Sequence, residues 1–178
     1  LLGLAKTKHY DQITVQDIVE QANIGRSTFY AHYQNKDDLL ISGFKHQLDK
    51  LAQQIVLDEE NYLKFDTSLM FEHVRGHYEI YRTLIWGSNG FKLLIEDGHT
   101  ALSNKIEDRL TNLLPEQQAS AMPLSVLACG IAGVFLVLLK WWLDNKMPYE
   151  AERMNEFFQQ LMMPGIRTTL DEGEINTD

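Results

Sequence analysis

The sequence predicts an all-α chain, with a three-helix helix-turn-helix at its N-terminal end followed by a larger helical bundle. Three observations carry that expectation. Residues 14–40 read as helix, tight turn, short helix and the start of a longer helix, each with its own boundary residues. From Leu40 onward, apolar residues recur at helical rather than alternating spacing. Pro is scarce, with 4 in 178 residues, and β-branched runs are short. At 44% apolar residues, the chain has ample material for a real core.

Taken in order, Leu1 to Lys8 reads as the last turns of a helix, with Leu1, Leu4 and Ala5 inward. There is no initiator Met and no charged-then-apolar leader, so the chain reads as trimmed. His9–Gln12 is a short connection. Thr14 and Asp17 then form a T-x-x-D capping box, flanked by Ile13 and Ile18 as a hydrophobic staple. Val15, Ile18, Val19 and Ala22 make one apolar stripe. Asn23 tolerates the left-handed conformation that ends such a helix, and Gly25 can cap the next. Ile24 is expected to plug the angle between the two helices. The short helix from Arg26 to Tyr33 should bury Phe29 and Tyr33, leaving Arg26, Ser27, Thr28, Tyr30, Ala31 and His32 around an exposed polar face. Asn35 and Asp38 look like a further capping box. Lys36, beside the free amides of that helix start, is placed as a phosphate clamp.

The run T-V-x-D-I-V-x-x-A-x-I-G-x-S-T-F-Y-x-H-Y-x-N-K-D-D-L-L resembles the DNA-binding domain of the TetR family of bacterial transcription regulators. The resemblance covers about the first fifty residues. It departs where that family usually has Gly in the turn and Ser or Thr before the recognition helix; here stand Asn23 and Gly25. It implies a recognition helix in the DNA major groove and a homodimer on a near-palindromic operator, with half-sites about 34–36 Å apart. On that basis Arg26 is the candidate for a guanine edge. Ser27 and Thr28 are expected on bases or phosphate, and Thr14, Tyr30, Ala31, His32 and Lys36 along the rest of the DNA-facing surface. The segment I-A-G-V-F-L-V-L-L-K-W-W-L-D-N-K-M-P is similar to one C-terminal subclass of the same family, and implies dimerisation through the last two helices.

Net charge of −9 looks unfavourable for a DNA binder until it is located. Residues 1–50 hold six Lys or Arg and six Asp or Glu, so the remainder carries the whole excess. That acidity suppresses non-specific adhesion to DNA while the local face docks. The domain boundary is therefore drawn at 1–45 for the reader and 46–178 for a ligand-binding and dimerisation domain. The helix beginning at Lys36 is expected to extend to about Leu57, roughly 30 Å, linking the two.

Beyond it, residues 64–86 suggest two short helices broken near Gly76. Gly87–Gly90 is a turn cluster, and Phe91–Ile95 and Thr100–Leu114 are helical. Met122–Leu143 approaches the roughly 20 residues of a membrane span, but Lys140 and the small residues Ala128, Gly130, Ala132 and Gly133 favour a core helix shared with a dimer partner. No membrane partner is expected. Tyr149–Leu170 is a last helix, with Met154, Phe157, Phe158, Leu161 and Met162 inward and a kink or stop at Pro164–Gly165. Cys129 is expected to be buried, no disulfide framework is possible within one chain, and a cytoplasmic location fits.

No catalytic constellation, phosphate loop or cofactor motif stands out, so no enzyme activity, cofactor or metal is expected. His73 and His77 share a helix face without a third ligand. Family resemblance implies a small-molecule effector among the middle helices, with Tyr78, Tyr81, Trp86, Phe91 and Phe135 as candidate contacts. Release from DNA on effector binding, hence repression, is the commoner family outcome. The rivals are control by a protein partner, and a helical ligand-binding bundle without DNA function.

Overall fold

A computed structural model describes residues 1–59, 62–86, 97–114 and 120–171; eight α-helices and one two-stranded sheet lie among them. Two 3-10 turns, Leu4–Lys6 and Tyr10–Gln12, lead into α1 (Val15–Ala22), α2 (Arg26–His32) and α3 (Lys36–Ala52). The capping box on α1 closes both ways. The Thr14 amide donates to Asp17 Oδ2 at 2.7 Å, and the Asp17 amide donates to Thr14 Oγ1 at 3.2 Å. Lys8 Nζ donates to the same Oδ2 at 2.7 Å; this bond, and then those from Thr14, hold the Asp17 carboxyl far below the usual carboxylate range.

Ile13, Ile18, Val19 and Phe29 form a small core, edged by Leu1, Leu4, Ala5, Val15, Tyr33 and Leu39. Ala22, at the end of the expected stripe, is exposed. Asn23 adopts the left-handed conformation (φ 53°, ψ 46°) and ends α1. Ile24 is 42% exposed and does not plug the corner, which the deeply buried Val19 and Phe29 already fill. Before α3, Asn35 Oδ1 accepts from the amides of Asp37 and Asp38, both at 2.9 Å. The return bond is displaced by one residue, since Asp38 accepts from the Gln34 amide rather than that of Asn35.

α3 stops at Ala52, short of the expected Leu57. Ile55–Leu57 is strand β1, paired antiparallel with β2 (Leu63–Phe65), Ile55 standing opposite Phe65. The helical-looking step from Leu51 to Ile55 misleads because a buried apolar residue suits a strand as well as a helix, and Ile55 is fully buried as a strand residue. The strand uses its backbone, and Arg109 Nε donates to the Ile55 carbonyl at 2.9 Å.

The body comprises α4 (Ser68–Gly76), α5 (Tyr78–Trp86), α6 (His99–Leu113), α7 (Leu124–Asp144) and α8 (Ala151–Asp171). The break after Gly76 falls where the sequence puts it. Leu102, Ile106 and Leu110 of α6 lock against Ala128, Ile131, Phe135 and Leu139 of α7 in one large core, which α3 joins through Phe44, Leu48 and Leu51. Core handover from reader to body thus occurs within α3, between Leu39 and Phe44. Buried Thr67 is satisfied by Asn155, whose Oδ1 accepts from both its amide and its hydroxyl at 2.9 Å.

α8 runs on through Pro164 and Gly165 instead of stopping. Its buried positions here are Phe158, Met163 and Ile166, with Met162 partly buried, so Leu161, expected inward, is 62% exposed. The W-W-L-D-N-K-M-P motif builds the α7–α8 corner. Trp142 is fully buried, with its indole N–H on the Tyr149 carbonyl at 2.8 Å. Lys146 and Met147 are left-handed (φ 59° and 53°), and the Met147 amide returns to the Trp142 carbonyl at 2.8 Å. α7 has the length and hydropathy, 2.1, of a membrane-crossing helix, yet one side of it is the centre of the core. Cys129 is exposed, not buried; it sits beside the start of α6, its Sγ 3.8 Å from His99 Nε2. The Gly87–Gly90 and Phe91–Ile95 expectations lie outside the described residues.

Candidate nucleic-acid interface

Helix α2 owes its position to one ring. Phe29 is buried between α1 and α2, with Tyr30 edge-on at 5.4 Å and Tyr33 at 5.7 Å. With that residue inward, Arg26, Ser27, Thr28, Tyr30, Ala31 and His32 are all exposed, as the sequence predicts. Tyr33 is only half-buried because it is the C-cap rather than part of the helix. Gly25 provides no side-chain cap, which leaves the first amides of α2 open. Arg26 is pre-set by a contact that sequence reasoning missed: its Nε donates to Gln16 Oε1 at 2.7 Å, and Gln16 in turn donates to Glu20. Both partners lie on α1, so the guanidinium is held where the two helices cross. Thr14 is exposed, but its hydroxyl is engaged with Asp17.

Lys36 sits differently from the phosphate clamp expected of it. Its ammonium donates to the carbonyls of Tyr10, Asp11 and Ile13 at 2.9, 3.3 and 3.0 Å, and lies 4.5 Å from the centre of the Tyr10 ring. An ammonium has three N–H bonds, and here all three are used within the reader. The Tyr10 hydroxyl donates to Asp37, and burial, then that bond, raises its pKa far above the ordinary phenol value. Together these contacts fasten the Tyr10–Gln12 turn to the start of α3.

Residues 2–42 match the bacterial regulatory proteins of the tetR family, and residues 61–164 match a transcriptional regulator C-terminal region. The chain belongs to the TetR family of transcription regulators. Members of that family bind DNA, dimerise and carry ligand-binding C-terminal domains. Over 37 residues this TetR-family chain is also 51% identical to an uncharacterized HTH-type transcriptional regulator, YxbF, of Bacillus subtilis (strain 168). That stretch is 21% of this chain and spans only 10% of the relative's length.

Of the candidate effector residues of this TetR-family chain, Tyr78, Tyr81 and Phe135 have described side chains. Phe135 is fully buried against Phe71 and Phe158 and is plain core, because α7 turns it toward α4 and α8. Tyr78 is half-buried against the same core. The side chain of Trp86 and all of Phe91 lie outside the described residues. Tyr81 alone lines a described cavity, of about 380 Å³, between the reader and α3, α4 and α5. Sequence reasoning missed Leu39, Gly43 and His73 on its wall, since residues contributed by separate helices leave no common spacing. His73 and His77 stack at 4.5 Å, and His77 Nδ1 lies 2.8 Å from the His73 carbonyl. Among the described residues no three His, Cys, Asp or Glu groups converge as a metal site.

One further surface stands out. Val126, Gly130, Val137 and Trp141 share the outward side of α7, with Val126 and Val137 55% and 59% exposed. Trp141 stacks on Tyr149, and Tyr149 meets Phe157 edge-on at 5.2 Å, which carries the apolar surface onto α8 one turn before Leu161.

Proposed function

We propose that the protein is a cytoplasmic, homodimeric, sequence-specific DNA-binding regulator, a repressor released from its operator by a small molecule. The observation that carries the DNA-binding part is the exposed α2 face, set on a buried Phe29 with Arg26 aimed by Gln16. Two such faces, brought one helical turn apart by a two-fold axis, fit successive major grooves of a near-palindromic site. Arg26 reads a guanine edge, Ser27 and Thr28 meet bases or phosphate, and Tyr30, Ala31 and His32 follow the backbone. Thr14 lies at the α1 N-terminus, where its amide region approaches phosphate. Lys36 serves the reader from behind, holding the Tyr10–Gln12 turn, and is a positioning residue in this reading.

The apolar sides of α7 and α8 supply the dimer surface; scattered apolar residues are ordinary on a protein, but a continuous row of this kind marks an interface. Two copies pairing there give a four-helix bundle. The reader runs through residue 45 and the ligand-binding and dimerisation domain from 46 onward, with α3 common to both.

The test is selection of bound duplexes from a random DNA pool with the full-length protein. Recovery of a palindrome with fixed half-site spacing is the expected result. Recovery of nothing at low salt, where phosphate contacts are strongest, overturns the reading.

A further inference from the structure

Arg26 opens α2, and its guanidinium reaches across to α1, where two residues one turn apart hold it in series. Arg26 Nε donates to Gln16 Oε1 at 2.7 Å, and Gln16 Nε2 donates to Glu20. Chemistry sets the order of these contacts. A guanidinium only donates and a carboxylate only accepts, so the amide between them has one orientation that satisfies both. Turned over, Gln16 would set its N–H groups against Arg26 and its oxygen against Glu20. Glu20 thereby fixes which end of the amide Arg26 meets.

Both anchors stand on closed backbone. The Asn23 amide returns to the Glu20 carbonyl at 3.1 Å and the Ile24 amide to the Val19 carbonyl at 3.0 Å, which seals the end of α1 just before α2 begins. Gln16 is half-buried, while Glu20 and Arg26 are exposed. Among the described residues no carboxylate pairs with Arg26, and its terminal amino groups carry no hydrogen bond. An amide steers the guanidinium without neutralising it, and both terminal amino groups are left for DNA.

A guanidinium can grip the O6 and N7 of guanine in two ways, through its two terminal amino groups or through Nε and one of them. With Nε held by Gln16, only the first remains. We propose that Gln16 and Glu20 determine base specificity through Arg26: Glu20 orients the Gln16 amide, and Gln16 presents the guanidinium end-on to a guanine. The inference rests on the DNA-binding reading above. Neither residue touches the base, and each is a positioning residue. The arrangement removes side-chain freedom from Arg26 before DNA arrives, so less has to be ordered on binding.

The experiment uses the full-length protein and duplexes that differ only at the base pair where Arg26→Ala relaxes preference. Its readout is the ratio of affinities for guanine over the other bases there. Gln16→Met removes the acceptor and keeps the stem, and should lower that ratio about three- to tenfold, the scale of one hydrogen bond. Added to Arg26→Ala, the same substitution should change nothing further. Glu20→Ala should lower the ratio as well, whereas Glu20→Gln, whose amide oxygen still accepts from Gln16, should retain it. Both Glu20 variants lose a negative charge and bind every duplex more tightly, so the ratio separates orientation from charge. In the protein without DNA, proton exchange at Arg26 Nε, followed by NMR, should be faster in Gln16→Met than in the parent chain. An undiminished ratio in Gln16→Met, a ratio lost equally in Glu20→Gln and Glu20→Ala, or unchanged exchange at Nε overturns this inference and leaves the DNA-binding reading intact. So does a selected palindrome in which no base pair depends on Arg26. A parent chain that selects no duplex overturns both.

Discussion

Lys36→Met separates two roles that one lysine can play at a helix start facing DNA. Methionine keeps the apolar stem and removes the ammonium. The substitution strips hydrogen bonds from the carbonyls of Tyr10, Asp11 and Ile13, two of them part-buried, and removes the cation over the Tyr10 ring. Water re-solvates the exposed Asp11 carbonyl at little cost. The two part-buried bonds, at about 1 kcal/mol each after discounting for exposure, and the ring contact at about 0.5–1 kcal/mol, give a loss of about 2–3 kcal/mol localised to the reader. Hydrogen exchange reads it directly. The Gln12 and Ile13 amides, held at 3.0 Å by the carbonyls of His9 and Tyr10, should exchange roughly 30- to 160-fold faster. The logarithmic salt slope of operator binding should stay unchanged, because no phosphate contact is lost. Unaltered exchange together with a slope smaller by about 0.9 would refute the reasoning and return Lys36 to the phosphates.

Arg26→Ala should cost about 1–3 kcal/mol on the preferred operator and relax preference at one base pair per half-site; retained preference in a panel of point-substituted duplexes assigns the readout elsewhere. Val137→Glu places a charge on the apolar side of α7, and sedimentation should show monomer at concentrations where the parent chain is dimeric; an unchanged dimer moves the interface to another surface. The pKa of His73 lies below its unfolded value, so the unfolded chain binds the extra proton first. Stability is therefore full above about pH 6.5 and declines as pH falls through the lower folded value. His73→Gln should flatten that part of the profile in urea unfolding, and an identical pH slope in both proteins would remove His73 as its source.

The reader's helix caps and the outward face of α2 were legible because their signals are local. Thr14 and Asp17 cap each other within one turn, Asn23 adopts its left-handed backbone alone, and the outward face of α2 follows once Phe29 is inward. What escaped the sequence was long-range. Lys36 meets carbonyls more than twenty positions earlier, and no spacing rule links an ammonium to backbone oxygens at that distance. Gln16 and Arg26 meet only because α1 and α2 cross. Ile55 was assigned to a helix because burial is common to both conformations, and periodicity cannot tell a buried strand residue from the next helical position. Phe135, a candidate contact through family resemblance, packs fully buried against Phe71 of α4 and Phe158 of α8, neighbours that no sequence spacing gives. The outward side of α7 was half-readable. Its small residues and apolar length pointed to a shared helix, while exposed Cys129 and Leu161 show that the sequence did not resolve which apolar residues face the core.

Shortening α3 changes how a signal would travel along it. The helix is fastened to the reader by the Asn35 cap and Lys36, and to the body by Leu48, Leu51 and the Lys105–Asp49 ion pair. Between those anchorages lies the cavity, with Gly43 and Phe44 on its wall. At 17 residues the helix is about 26 Å long. A tilt of about 5° about its Ala52 end displaces Lys36 by roughly 2 Å, and a two-fold axis doubles the relative shift of the two readers. Base-edge hydrogen bonds hold over a window of about 0.5 Å, so a movement of that size breaks register in at least one groove. The β1–β2 hairpin follows immediately after Ala52 and is tied to α6 by Arg109. The far end of α3 is thereby fixed in the body, and the reader end is the one left to move.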